Sequence, residues 1–152
     1  MPSICRPRVL CVEDDEDSRL RLTTLLGIAL IEAKAVGTVA QALSSIRAEQ
    51  FDLYLLDSRL PDGDGFELCR QIRDYDPQAP ILFFSGEGFD ADQQKGIEAG
   101  ANAYVIKPDL EVLLGSIKQF VSQEESEAAA KILRFRPNIS SVSPFTFDPA
   151  AA

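Results

Sequence analysis

The chain has 152 residues, of which 45% are apolar and 26% are charged, and this balance predicts one globular domain with an ordinary core. The formal net charge of -9 argues against nonspecific binding to nucleic acid, because no excess of basic side chains is present to replace counterions on phosphates. Three cysteines without metal-type spacing, and no apolar run of about 18 residues, predict a reduced, cytoplasmic protein without a membrane segment.

Short apolar runs alternate with helical patterns along the chain, and this alternation predicts a parallel sheet covered by helices on both faces. The predicted strands are residues 9–12, 33–36, 53–56, 81–84 and 103–106. Most of these runs are nearly continuous, as burial on both faces of a sheet requires. Lys34 interrupts the second run, which is therefore predicted to be an edge strand.

A helix is predicted in each interval between strands and after the last strand. The second helix begins at a capping box formed by Thr38 and Gln41. The third begins near Gly65. The fourth, residues 90–99, contains few large apolar residues and is predicted to be the loosest of the set. The fifth follows Pro108 and carries an apolar stripe on one side.

Polar side chains stand at the carboxyl ends of four predicted strands, which is where ligands bind in doubly wound sheets. Glu13 and Asp14 follow the first strand, Asp57 the third, Ser85 the fourth and Lys107 the fifth. Carboxylates brought together repel one another and lose hydration, so this edge favours a divalent cation. Only the five residues together indicate a binding site, because an acidic pair alone is more often a helix-terminal cluster and a lone lysine is usually a solvated surface residue.

With these residues at these strand ends, the chain resembles the response-regulator receiver domains of two-component phosphorelays over residues 8–122. The resemblance implies a flavodoxin-like α/β fold, a doubly wound five-stranded parallel sheet with helices on both faces and strand order 2-1-3-4-5. It makes Asp57 the phosphoacceptor, with Lys107 and Ser85 beside the phosphoryl group. A carboxylate can attack phosphorus while a cation and a lysine neutralise the equatorial oxygens.

The resemblance also assigns the metal ligands, the switch and the residues that set the lifetime of the phosphorylated state. Mg²⁺ would be held by Glu13, Asp14, Asp57 and the backbone carbonyl of Arg59, the switch pair would be Ser85 and Tyr104, and Arg59 and Glu87 would flank the path of the hydrolytic water.

The chain is therefore expected to be a phosphoacceptor that takes its phosphoryl group from a histidine kinase or a histidine phosphotransfer protein. It is expected not to be an enzyme, beyond catalysing its own phosphorylation and dephosphorylation. A downstream protein target would bind the fourth helix, the fifth strand and the fifth helix, with no direct DNA binding and no membrane contact. Formation of a homodimer is left open.

Three other functions were weighed against the same strand pattern. A flavin-binding electron carrier would place a phosphate after the first strand, where Glu13, Asp14 and Asp15 would repel it. A phosphatase with an aspartyl nucleophile would need an acid two residues after Asp57, where Arg59 cannot give up a proton. A pseudo-receiver that serves only as an interaction module would not need the complete acidic set.

Residues 123–152 fall outside the resemblance and are predicted to be a C-terminal extension, partly helical and then extended or disordered. Glutamates and alanines favour helix in its first part, whereas serine and proline dominate after Pro137. Several large apolar residues leave docking onto this domain, a second copy or another protein open: Ile132, Leu133, Phe135, Phe145 and Phe147.

Overall fold

The structure is a computed structural model that describes residues 6–86, 88 and 90–125, with side chains through residue 121. In chain order its elements are β1 (Arg8–Val12), α1 (Glu16–Ile28), β2 (Glu32–Val36), α2 (Val39–Ala48), β3 (Leu53–Leu56), β4 (Arg59–Leu60), β5 (Gly63–Asp64), α3 (Gly65–Tyr75), β6 (Ile81–Ser85), α4 (Asp90–Ala99), β7 (Ala103–Ile106) and α5 (Leu110–Glu125).

Five of the strands form one parallel sheet in the order β2-β1-β3-β6-β7. When only these five are counted, this is the predicted order 2-1-3-4-5, so the predicted fold is confirmed. β2 lies at one edge, as Lys34 indicated, and it remains partly exposed along its length. The predicted strand positions hold to within one residue at each end.

The sheet separates two apolar clusters, and alternate residues of each central strand supply them. In β1, Leu10 and Val12 pack with α2, α3 and α4, whereas Val9 and Cys11 pack with α1 and α5. All four of these side chains are buried. Burial on both faces is the physical reason for the continuous apolar runs from which the strands were predicted.

A short two-stranded ribbon between β3 and α3 was not predicted from the sequence. Its strands, β4 and β5, are antiparallel and contain two residues each, which is too short for any periodicity. The ribbon ends at Asp64, whose side chain accepts a hydrogen bond from the N–H of Phe66 at 2.8 Å and so caps α3. The ribbon therefore sets where α3 begins, immediately beside the end of β3.

Some sequence predictions concern residues that the structure does not describe. Glu87 and the extension beyond residue 125 lie outside the described residues. The last helix, α5, continues to Glu125 and so crosses the boundary predicted after residue 122. Within the part of the chain that is described, no helix combines the length and the apolar composition needed to span a membrane.

Candidate functional site

Four strand ends bring the predicted site residues to one edge of the sheet. Glu13 follows β1, Asp57 follows β3, Ser85 ends β6 and Lys107 follows β7. One carboxylate oxygen from each of Glu13, Asp14 and Asp57 lies within 4.8 Å of the other two. The structure therefore assembles the acidic cluster that the strand ends predicted, although Asp57 is more than 40 positions away from Glu13 and Asp14 in the chain.

Lys107 binds two of the three acidic residues. Its Nζ donates hydrogen bonds to Glu13 Oε1 at 2.7 Å and to Asp57 Oδ2 at 3.3 Å. Partial burial acts to lower the pKa of Lys107, but the hydrogen bond to Glu13 and the charge of Asp57 outweigh it, so the pKa lies above its ordinary value. The ammonium group therefore stays charged and offsets part of the repulsion within the cluster.

Glu13 is the most enclosed of the three carboxylates, with 3% of its surface exposed. Burial raises the pKa of Glu13, against the lowering effect of hydrogen bonds from Lys107 and from the N–H of Asp15, which lies 3.1 Å from Oε2. The negative charge of Asp57 raises it further. Glu13 is thus held in one orientation by two donors, and its charge is costly without a cation beside it.

The donor set of this cluster suits Mg²⁺. The three side chains offer carboxylate oxygens, the hard ligands that Mg²⁺ binds at about 2.1 Å together with waters and phosphate oxygens. Asp14 is exposed, so solvent reaches the cluster from that side. Arg59 is the second residue after Asp57 and begins β4, so its backbone follows closely after that carboxylate in the chain.

The predicted switch residues lie behind the acidic cluster, inside the protein. Ser85 is fully buried, and its Oγ lies 2.6 Å from Oγ of Ser58, the residue after Asp57. Tyr104 is 1% exposed and its ring stacks on Phe83, with 5.6 Å between the ring centroids. The ring of Tyr104 therefore lies in the core in this conformation.

Two residues at this edge were missed by sequence reasoning. Ser58 contacts the hydroxyl of Ser85, and Arg19 donates hydrogen bonds to the backbone carbonyls of Glu13 and Asp14 in the acidic loop between β1 and α1. Ser58 could have been identified from its position directly after Asp57, because consecutive residues at a strand end face opposite sides of the sheet. Arg19 follows the acidic loop by about one helical turn, which brings it back toward that loop, but such spacing alone does not identify a contact.

The sequence profile of the response regulator receiver domain matches residues 9–118. The chain belongs to this family. Among similar proteins, an uncharacterized transcriptional regulatory protein of Bacillus subtilis, YvcP, is 39% identical over 125 residues, covering 79% of this chain and 51% of that protein. The DNA-binding response regulator MtrA of Mycolicibacterium smegmatis is 33% identical over 125 residues, covering 82% of this chain and 54% of MtrA.

The structures of known receiver domains agree with this assignment. The beryllofluoride-activated receiver domain of DrrB, a protein of Thermotoga maritima, superposes with a TM-score of 0.72 and 31% identity, covering 78% of this chain and 99% of that domain. The chain is therefore a receiver domain of a two-component response regulator. It spans about half the length of the curated relatives that it matches.

The relatives correct the prediction that excluded direct DNA binding. MtrA is named as DNA-binding, and several other relatives are named as transcriptional regulatory proteins. The exclusion rested on the net charge of -9, but that charge describes only the 152 residues of this chain. About half of each of these relatives lies outside the match, so the charge of the receiver carries no information about that half.

The prediction about enzyme activity, which described the chain only as a signalling phosphoacceptor, is also corrected. The relatives named above are named as transcriptional regulatory proteins and as a DNA-binding response regulator, so the names describe regulation of transcription. The physical distinction is that a phosphoryl group left on the protein marks a regulatory state and is not a released product.

Proposed function

We propose that Asp57 accepts a phosphoryl group from a phosphohistidine on a kinase or phosphotransfer protein, in the presence of Mg²⁺. The observation that carries this proposal is the cluster of three carboxylates with Lys107 bound to two of them. A carboxylate is a weak nucleophile toward an anionic phosphoryl group, because like charges repel. Cations beside the carboxylate reduce that repulsion, and Lys107 is already in place to do so.

The transfer forms a bond between a carboxylate oxygen of Asp57 and phosphorus while the bond from phosphorus to the donor imidazole breaks. The imidazole nitrogen leaves with the bonding electrons, and the product is an acyl phosphate. Glu13, Asp14, Asp57 and the Arg59 carbonyl would hold Mg²⁺, which supplies positive charge to the phosphoryl oxygens. Lys107 faces the same oxygens from the β7 side, and Ser85 can donate a hydrogen bond to one of them.

The phosphoacceptor is tested with phosphoramidate, a small donor with the same type of phosphorus–nitrogen bond as phosphohistidine. The protein is incubated with phosphoramidate and Mg²⁺, and the intact mass is measured. We expect one phosphoryl group on the wild type and none on Asp57→Asn, whereas Asp74→Asn, at an exposed position of α3, should behave as the wild type. A phosphoryl group retained by Asp57→Asn would contradict the assignment.

Mg²⁺ binding is tested separately by calorimetric titration in the absence of any phosphoryl donor. Asp14→Ala should weaken binding strongly, because one of three carboxylates is lost from the cluster. Asp74→Asn again serves as the control, since it removes a carboxylate from the surface outside the cluster. Equal affinities in Asp14→Ala and the wild type would place the metal elsewhere.

We also propose that phosphorylation changes a protein-interaction surface formed by α4, β7 and α5. Support comes from Tyr104, a β7 residue whose ring lies within 3.0 Å of the position that a Cβ at Gly96 of α4 would occupy. A shift of Ser85 toward the phosphoryl group would reach both elements through this contact. Backbone NMR shifts on adding beryllofluoride and Mg²⁺ should concentrate in α4, β7 and α5, and shifts confined to α1 and α2 would contradict the proposal.

The lifetime of the acyl phosphate would depend on Arg59. Its side chain is exposed at the start of β4, two residues from Asp57, where it can obstruct water that attacks phosphorus. A tenfold change in hydrolysis rate requires only about 1.4 kcal/mol in the barrier, so one side chain is sufficient. Arg59→Ala should shorten the lifetime without loss of Mg²⁺ affinity, measured by the decay of the phosphorylated mass. A lifetime equal to that of the wild type would remove Arg59 from this role.

We further infer that the output of the receiver is control of transcription, with direct DNA contact by the protein that carries it. This rests on the names of relatives that share the receiver and extend well beyond it. The native protein, cross-linked to DNA in its own cells and recovered with an antibody against residues of this receiver, should bring down specific DNA fragments. Recovery of no fragment above a mock precipitation would contradict a DNA-contacting output.

A further inference from the structure

Arg19 lies in α1 and connects this helix to the loop that carries the acidic pair. Its Nη1 donates hydrogen bonds to two consecutive backbone carbonyls, Glu13 O at 2.8 Å and Asp14 O at 3.0 Å. These bonds fix the peptide units on either side of Asp14. The orientation of a peptide unit determines where the neighbouring side chains point, so the guanidinium influences the direction of the Asp14 carboxylate without touching it.

Other contacts hold the same loop, and Arg19 completes the set. The N–H of Glu13 donates to Val36 O at 2.9 Å, and the N–H of Asp15 donates to the Glu13 carboxylate at 3.1 Å. The side chain of Asp15 caps α1 by accepting from the N–H of Ser18. Between these anchors, the carbonyls of Glu13 and Asp14 point toward α1, and Arg19 binds both.

A glycine in the neighbouring strand-to-helix loop leaves room for the Arg19 guanidinium. A Cβ added at Gly37 would lie 2.7 Å from Arg19 Nη1, while the nearest backbone atom would be Glu13 O at an ordinary 3.7 Å. An alanine here therefore collides with the mobile end of one side chain and with nothing rigid. The backbone of Gly37 does not require glycine, since its φ is not positive. Gly37→Ala is thus a selective way to displace Arg19 from the carbonyls.

We propose that Arg19 is a positioning residue for the metal-binding carboxylates, acting through the backbone of residues 13–15, and that Gly37 provides the space it needs. This inference rests on the proposed Mg²⁺ site. Because Arg19 is charged, a positioning role and a purely electrostatic effect predict opposite changes in Mg²⁺ affinity when the residue is replaced. A cation near a cation site weakens metal binding by repulsion, so loss of that charge alone would strengthen binding, whereas loss of a positioning contact weakens it.

The test is calorimetric titration of Mg²⁺ into the wild type, Arg19→Gln, Arg19→Lys and Gly37→Ala. Arg19→Gln should lose affinity by about tenfold or more, as is usual when a group that orients a metal ligand is removed. Arg19→Lys keeps the charge with fewer donors and should give an intermediate affinity. Arg21→Gln removes a charge from the exposed side of the same helix, and we expect unchanged or slightly stronger binding. Gly27→Ala adds a methyl group to open space and is the control for Gly37→Ala.

The double variant Arg19→Gln with Gly37→Ala tests whether both changes act through one contact. If they do, the double variant binds Mg²⁺ no more weakly than Arg19→Gln alone. Fully additive losses would overturn the role of Gly37, and an Arg19→Gln affinity equal to that of Arg21→Gln would overturn the role of Arg19. A lowered melting temperature with unchanged Mg²⁺ affinity would show a purely structural contact and would also overturn it.

A second readout does not depend on metal. In the metal-free protein, Arg19→Gln and Gly37→Ala should shift the amide NMR signals of residues 14 and 15 in the same direction, and absence of a common shift counts against the proposal. A wild type that binds no Mg²⁺ would overturn the metal site itself, together with the positioning role assigned here. A wild type that binds Mg²⁺ with the same affinity as Arg19→Gln would overturn only the positioning role.

Discussion

Asp62 lies in the turn of the β4–β5 ribbon, and its carboxylate caps a helix that is distant in sequence. It accepts hydrogen bonds from the N–H groups of Val39 at 2.7 Å and Ala40 at 3.0 Å, in the first turn of α2. Thr38 accepts the next N–H, that of Gln41, at 3.0 Å. Three orphan donors of α2 are thereby satisfied, two of them by a residue more than 20 positions later in the chain.

The first prediction is that Asp62→Ala destabilises the fold at neutral pH and that the loss fades in acid. The hydrogen bonds from Val39 and Ala40 lower the pKa of Asp62 below its ordinary value of 3.8. A lowered folded pKa means that the charged carboxylate stabilises the fold above that ordinary value, and that this contribution disappears as pH falls through the folded pKa. Urea unfolding at pH values from about 7 down to about 3 should show the two proteins converging. A constant difference would assign the effect to something other than the charge.

Gly65, the first residue of α3, lies close to the backbone of Asp57 and Ser58. A Cβ at this position would lie 2.0 Å from the carbonyl oxygen of Asp57 and 2.9 Å from the Cα of Ser58. Both are backbone atoms, so no side-chain movement can relieve the clash. The N–H of Gly65 also donates to the carbonyl of Ser58 at 2.9 Å. The start of α3 and the end of β3 are therefore in direct contact.

The second prediction is that Gly65→Ala destabilises the protein by about 2 kcal/mol and also weakens Mg²⁺ binding, because α3 must move away from the end of β3. Gly115→Ala is the matched control, since it lies in α5 with open space around it and alanine favours helix. Urea unfolding gives the stability and titration calorimetry gives the Mg²⁺ affinity. Equal stability of Gly65→Ala and the wild type would mean that this contact is not rigid.

At the scale of the elements, the sheet was predictable because burial acts on every residue of a central strand. β3 and β6 are buried throughout, so their positions followed from composition alone. The β4–β5 ribbon was missed because two residues cannot show a period. In the first helix Leu22 and Leu26 are buried, whereas Leu20 remains 67% exposed and weakens the amphipathic pattern.

The site was predictable only in part, for a related reason. Parallel strands end at one edge of the sheet, so Glu13, Asp57 and Lys107 could be placed together from topology. Two contacts could not be placed in this way: the hydrogen bond between Ser58 and Ser85, and the hydrogen bonds from Arg19 to the acidic loop. They depend on the directions in which the side chains point from their elements. No local pattern in one sequence encodes those directions.

The third prediction concerns α4, which was expected to be the loosest helix. It buries only Gly96 and Ala99, whereas α3, of similar length, buries five residues. Because α4 has little apolar area to lose on opening, its amides should exchange with solvent faster than those of α3 by about tenfold or more. Hydrogen exchange followed by NMR measures both helices in one experiment. Equal protection of the two would refute the expectation.

At the scale of the whole molecule, the acidic edge opposes folding while the two apolar clusters favour it. Lys107 links β7 to the ends of β1 and β3, because its ammonium group contacts the carboxylates of both Glu13 and Asp57. Glu13 is only 3% exposed. Without Lys107, the carboxylate of Glu13 would stay buried and would lose its ion pair with the ammonium group. The stability of the fold and the proposed phosphoryl transfer to Asp57 therefore involve the same ammonium group.

The last prediction is that Lys107→Met lowers the free energy of unfolding at neutral pH by about 3 kcal/mol, because it removes the cationic partner of a carboxylate that is itself buried. The partly exposed Lys34, which pairs with Glu49 at the sheet edge, is the control, and Lys34→Met should cost no more than about 1 kcal/mol. The two variants can be compared by urea unfolding with and without Mg²⁺.

The pH dependence follows from Glu13, whose folded pKa is already raised above 4.5. Without Lys107 the folded pKa of Glu13 rises further. A raised folded pKa means that stability which is present below the unfolded pKa is lost as the pH rises through the folded pKa. The deficit of Lys107→Met should therefore be smallest near pH 4.5 and grow toward neutrality. Mg²⁺ at a hundredfold excess over its dissociation constant adds about 2.7 kcal/mol to the free energy of unfolding of a protein that binds it only when folded. Since Lys107→Met lacks the competing ammonium, Mg²⁺ should stabilise it more than the wild type, and a smaller gain would contradict the view that both cations serve the same carboxylates.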